Sequence, residues 1–250
     1  MKPYLFITIF LISFMIKLNI SQKLLRKNVK SKTKVNNEYL GFSKISGKEL
    51  KKYMFNPKVF IVDTRDMTIS AEGFFPKSII CPTSMYSWLS SIVPSKADII
   101  IISDEDNYQN SINSLIDLKL YNLLGYGLYN EINESSSFFI QKVEYNPNTK
   151  QDIEEIVKNG ENIIDIREIS EYIETGVIEQ AKLIPLTTFQ TDYTKIPDNG
   201  NVYVFCKSGM RAVVGMTYAK RAGYTNRMVI MAGGMNKAIE EGYPLVPYPG

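Results

Sequence analysis

The chain has 250 residues, 44% hydrophobic and 22% charged, with a net charge of +3. This is a globular composition with room for one large domain or two of ordinary size, and so small a charge argues against nucleic acid as a partner. With no histidine and only two cysteines, Cys81 and Cys206, Cys-His and Ser-His catalysis, histidine or thiol-rich metal sites and a disulfide framework are excluded, and neither metal nor cofactor is expected.

Pro3 to Ile16 is nearly unbroken apolar sequence behind Lys2. A bilayer-spanning helix needs about 20 residues, so the run is short and suits a signal-peptide core. Asn19-Ile20-Ser21 lacks the small-x-small pattern of a cleavage site. Lys17, Lys23, Arg26, Lys27, Lys30, Lys32 and Lys34 follow, with no acid until Glu38. Such a positive flank tends to stay cytoplasmic. Two readings stand: an uncleaved anchor that makes the protein membrane-associated, or a cleaved export signal. Residues 1–20 are assigned to this segment and 21–42 to a basic linker, which beside an anchor would be drawn to anionic lipid.

Globular sequence begins near Ser43. Ser46 with Glu49 forms a capping-box signal for a helix through Met54. Val59-Phe60-Ile61-Val62-Asp63-Thr64-Arg65 reads as a buried strand ending in Asp-x-Arg. The pattern returns 102 residues later as Asn162-Ile163-Ile164-Asp165-Ile166-Arg167. Gly73 pairs with Gly176, Cys81-Pro82 with Ile184-Pro185, the strand Ile99–Ile102 with Val202–Phe205, and Tyr121 with Tyr224. An offset of this length is too long for a solenoid repeat and suits a duplicated domain.

In the second copy, Thr149 to Lys158 predicts a helix closed by Gly160, and Ser170 a cap for a short helix through Glu174. Ala212 to Ala222 predicts a helix closed by Gly223, and Asn236 to Glu241 one closed by Gly242. Strands alternating with helices imply an α/β fold, a parallel sheet covered on both faces in each copy. The join falls in the polar stretch Asn130 to Asn148, giving domains at 43–140 and 141–250.

Cys206-Lys207-Ser208-Gly209-Met210-Arg211 follows the apolar run Val202-Tyr203-Val204-Phe205 and precedes a helix. A cysteine at this junction faces loop N–H groups, a helix N-terminus and two cations, a setting that binds anions and favours thiolate over thiol. Free cysteines are more often buried small hydrophobes, a reading that fits Cys81 in its apolar strand better than Cys206 in its loop. Without histidine, electrostatics must activate Cys206.

These motifs resemble the rhodanese family. Ile163-Ile164-Asp165-Ile166-Arg167-Glu168 with Glu171-Tyr172 is similar to its opening strand and helix. Gly176-Val177-Ile178 through Ala181 to Leu186 is similar to its Gly-His-Ile…Ala-x-x-Ile-Pro segment. Cys206 to Arg211 is similar to its active-site loop, and Gly233-Gly234-Met235 through Glu241-Gly242-Tyr243-Pro244 to its C-terminal signature. The first copy resembles a degenerate rhodanese domain. Tyr86-Ser87-Trp88, Ala97-Asp98, Ser103-Asp104-Glu105 and Leu124-Gly125-Tyr126 make it similar to the first of the two such domains in metallo-β-lactamase–rhodanese fusion proteins, without their metallohydrolase domain. Val177 stands for the usual histidine and Ala238 for a common tryptophan.

The resemblance implies two rhodanese-like domains, each a parallel sheet of the five-stranded type flanked by helices on both faces. It implies a sulfurtransferase with Cys206 as the catalytic nucleophile and Lys207, Ser208, Gly209, Met210 and Arg211 holding substrate. Cys206 would take sulfur from thiosulfate or a persulfide, including one borne by a protein, and pass it to a thiol or cyanide-type acceptor. Arg211 would orient the anionic donor or hold the loop through backbone carbonyls; both roles stand. Asp165 and Arg167 are read as a structural brace, as are Asp63 and Arg65. Four residues separate Cys206 from Arg211, where the related phosphatase loop needs five, which favours sulfur over phosphate. Ser103 takes the cysteine's place in the first copy, followed by Asp104, Glu105 and Asp106, which would repel an anion. That copy is expected to be non-catalytic and to shape a cleft wall or bind a partner. The alternative function is a membrane-tethered persulfide carrier or scaffold without turnover; a phosphatase-like activity ranks last.

Overall fold

The computed structural model describes residues 41–250; the apolar segment and most of the basic linker lie outside them. The first half runs β1 (Ser43–Lys44), α1 (Gly47–Met54), β2 (Val59–Asp63), α2 (Met67–Glu72), β3 (Ser78–Ile80), α3 (Tyr86–Ile92), β4 (Asp98–Ser103), α4 (Tyr108–Asp117), β5 (Asn122–Leu128) and α5 (Tyr129–Ser135). The second runs β6 (Glu144–Asn146), α6 (Lys150–Lys158), β7 (Asn162–Asp165), α7 (Ile169–Thr175), β8 (Ala181–Leu183), α8 (Phe189–Asp192), β9 (Val202–Phe205), α9 (Met210–Ala222), β10 (Met228–Met231) and α10 (Gly234–Glu240).

Each half builds one five-stranded sheet, ordered β1-β5-β4-β2-β3 and β6-β10-β9-β7-β8, so the same order occurs twice. All the pairings within them are parallel. Each sheet is buried between helices on its two faces, which is why the strands read as apolar runs without alternation. In β2, Val59 and Ile61 pack with Leu50 of α1 and Ile132 of α5, while Phe60 and Val62 face the other way, toward Leu89 and Ile112. In β9, Val202 and Val204 share that second core, and Phe205 packs with Ile153, Met231 and Ala238.

The inner core is continuous across the two halves: Val62, Leu89 and Ile101 belong to the same cluster as Val204, Val214 and Ile230. Helix α9 packs against β3, an edge strand, and Thr217 Oγ1 accepts the Ile80 N–H at 3.1 Å. That contact satisfies an edge donor that would otherwise invite pairing with another chain. Arg221 reaches from α9 to the Pro57 and Val59 carbonyls at 3.0 and 2.8 Å, with its guanidinium over the Phe60 ring.

The capping boxes at Ser46/Glu49 and Thr149/Asp152 both form. Three helix starts differ from the sequence expectation. Helix α7 is capped by Glu168, not Ser170, and the Glu171 carboxylate accepts the Glu168 N–H at 2.9 Å. Helices α9 and α10 begin two residues earlier than expected because Gly209 (φ 96°) and Gly233 (φ 72°) turn the chain straight into the helix. The stretch Asn130 to Asn148 is not merely a join, since it holds most of α5 and the edge strand β6. Among the described residues no helix is long and apolar enough to cross a membrane.

Candidate active site

The register of β7 on β9 pairs Asp165 with Phe205, so Cys206 is the first residue beyond the ladder. It lies two residues beyond Val204 in the shared inner core and is only 1% exposed. The chain then turns through exposed Lys207 and Ser208 to buried Gly209, whose N–H donates to Cys206 Sγ at 3.2 Å. Met210 and Arg211 therefore belong to the first turn of α9 rather than to the loop, Met210 half exposed and Arg211 8% exposed.

The loop rests on the start of α10. Met235 N–H donates to the Cys206 carbonyl at 2.8 Å and Asn236 N–H to the Lys207 carbonyl at 3.0 Å. Gly233 and Gly234 both have positive φ. A Cβ on Gly234 would stand 2.2 Å from the Cys206 carbonyl oxygen. Beneath this turn, buried Asn148 donates from Nδ2 to the carbonyls of Ala232 (3.1 Å) and Gly234 (2.8 Å). The Gly233-Gly234-Met235 signature is thus the bed of the Cys206 loop. Asn148 escaped the sequence reading, which took it for part of the join.

Arg211 makes a bidentate pair with Glu171 of α7, both bonds 2.7 Å, and lies 4.7 Å from the centroid of the Trp88 ring in the first half. The guanidinium thus takes a carboxylate and an aromatic face, not the loop carbonyls expected on the structural reading of its role. Burial pushes the Glu171 carboxyl up, but hydrogen bonds from Arg211 and Glu168, with the Arg211 charge, outweigh it and leave it below its usual range. Burial also works against the Arg211 charge, yet Glu171, Cys206 and Glu168 hold it above its ordinary value. Glu171 and Trp88 had signals in the sequence, the motif after Arg167 and the chain's only tryptophan. Nothing local linked them to Arg211.

Asp165 and Arg167 stand directly before α7. Arg167 reaches the Asp165 carboxylate through Nε (2.9 Å) and NH2 (2.7 Å) and donates to the Gly176 carbonyl (2.9 Å). Arg65 repeats this with Asp63 and the Gly73 carbonyl. All four side chains are buried. A buried pair whose remaining donors are also satisfied ties strand end to the following helix and turn.

In the first half, Ile102 pairs with Asp63 as Phe205 pairs with Asp165, so Ser103 stands at the register position of Cys206. It is fully buried, with Oγ 3.4 Å from Ser111 Oγ. Cys81 is fully buried too, its thiol pushed up to about 12 by burial. It stays protonated and inert at neutral pH. Val177, in the place of the usual histidine, is buried and exchanges two 2.9 Å backbone bonds with Val246.

A family model described as rhodanese-like domain matches residues 149–241, a segment that contains the Cys206 loop. The chain is 30% identical over 88 residues to the sulfurtransferase of Allochromatium vinosum, covering 35% of this chain and 80% of that protein. A rhodanese-related protein from Thermoplasma volcanium is 27% identical, covering 42% of this chain and 100% of the other, with a TM-score of 0.37. The thiosulfate sulfurtransferase of Pseudomonas aeruginosa is 14% identical, covering 82% of this chain but 44% of its own length, with a TM-score of 0.35. The matched segment and the extent of the Allochromatium vinosum match show that this chain belongs to the rhodanese-like family.

Proposed function

We propose that this protein is a sulfurtransferase that carries sulfane sulfur as a persulfide on Cys206. The observation behind this reading is the Gly209 N–H aimed at Sγ, in a loop whose carbonyls are drawn back toward α10. This loop turns the Gly209 N–H toward the sulfur and the Cys206 and Lys207 carbonyl dipoles away from it.

In the first step the Cys206 thiolate attacks the outer sulfur of the donor. From thiosulfate, the S–S bond breaks and sulfite leaves with the electron pair. The Cys206 persulfide then gives its terminal sulfur to a thiol or cyanide, and Cys206 returns as thiolate. No metal or redox cofactor enters the balance. The first half, with a buried serine in place of the cysteine, takes no covalent part; its Trp88 supplies a wall.

Steady-state thiocyanate formation from thiosulfate and cyanide tests the activity. Turnover by the wild type and none by Cys206→Ser supports it. No thiocyanate from any sulfane donor would sink it. A second reading, a carrier that loads without turnover, draws on the 1% exposure of Cys206, because an acceptor must reach a covered sulfur. Stoichiometric loading with no release to small acceptors would favour it. The same proposal includes tethering at a membrane through residues 1–20. Mass spectrometry of the mature N-terminus separates that from export after cleavage.

A further inference from the structure

We infer that the site selects a donor of low charge, a small organic persulfide, over the thiosulfate dianion, and that Glu171 sets this selection. The inference rests on the sulfur-transfer reading and adds its substrate class.

Two cations flank Cys206 in sequence, and the fold treats them differently. Arg211 is spent: both of its terminal nitrogens bind Glu171 at 2.7 Å, and the Trp88 ring lies against it. Glu168 adds a second carboxylate close enough to act on the Arg211 charge. Lys207 is exposed, and among the described residues no ion pair holds it. Of the two loop cations, Arg211 is therefore neutralised by Glu171, and Lys207 is left to meet a donor. A dianion entering such a mouth would lose water without gaining a matching charge.

An organic persulfide asks less. It brings at most one charge, which Lys207 meets, and its carbon chain meets half-exposed Met210 and part-buried Trp88. Transfer balances without a co-reactant. Cys206 Sγ bonds to the outer sulfur of RS–SH, the RS–S bond breaks, and the thiolate RS⁻ leaves with the electron pair.

The test is the rate of Cys206 loading in the full chain, read by intact mass, with thiosulfate and with a small alkyl persulfide. Glu171→Gln keeps an acceptor for the Glu168 N–H while freeing the Arg211 charge. It is expected to raise thiosulfate loading about tenfold, the scale of local charge focusing, and to change persulfide loading less than about twofold. As a variant on an exposed side chain, Lys207→Glu should lower thiosulfate loading about tenfold and persulfide loading by a smaller factor. Equal changes for the two donors, or faster loading from thiosulfate in the wild type, would overturn the selection and leave sulfur transfer standing. Loading of neither donor would overturn both.

Discussion

Gly234 lies directly beneath Cys206: a Cβ there would meet the Cys206 carbonyl oxygen at 2.2 Å, and the residue's φ is +56°. Backbone clash and left-handed conformation act together, so Gly234→Ala should cost more than about 1 kcal/mol of stability. It should also displace the loop, so that sulfur loading on Cys206 falls at least about tenfold in the variant that still folds, the scale set by small misplacements of reacting groups. Denaturant titration and intact mass read the two effects separately.

Arg221 links the halves through the Pro57 and Val59 carbonyls. Its removal strands the part-buried Val59 carbonyl, leaves the exposed Pro57 carbonyl to water and uncovers the Phe60 ring. Arg221→Ala should destabilise by about 1–3 kcal/mol. Because one core runs through both halves, unfolding should remain a single transition. Fluorescence of Trp88, the sole tryptophan, and far-ultraviolet circular dichroism should give coincident curves.

The two Asp-x-Arg pairs make a matched comparison. Arg167→Met and Arg65→Met each leave a buried carboxylate without its partner and should each cost about 3–5 kcal/mol. Thermal denaturation of the two variants checks this. A much smaller loss at either site would show that the pair there braces nothing.

Cys81 supplies the pH dependence. Its thiol is raised by burial from the ordinary 9.0 to about 12, so the unfolded chain loses this proton first. The stability it contributes is whole below about pH 9 and is lost as pH rises toward 12. The difference in stability between wild type and Cys81→Ala should therefore shrink between pH 8 and pH 11, by chemical denaturation. Sulfur loading at neutral pH should be unchanged in Cys81→Ala, since the proposed function puts the sulfur on Cys206 alone.

The sequence made some parts of this molecule plain and hid others. Strands such as Val59–Asp63 and Val202–Phe205 are short, continuous apolar runs, and their duplication exposed the repeated fold. Edge strand β6 is Glu144-Tyr145-Asn146, polar and largely exposed, with no apolar signal to find. The cysteine loop was legible because its residues are contiguous. The Arg211–Glu171 pair spans 40 residues and two elements, and Trp88 comes from the other half, so neither could be read locally. The roles of Gly234 and Asn148 depend on a helix start folding back under the loop, a tertiary relationship that no spacing rule encodes.

The central claim is that one thiol in one half of the molecule holds the transferred sulfur. Intact-mass analysis after incubation with thiosulfate or an alkyl persulfide tests it most directly. The account predicts a gain of one sulfur atom in the wild type and in Cys81→Ala, and none in Cys206→Ser. No gain in the wild type, or a gain that persists in Cys206→Ser, would contradict it.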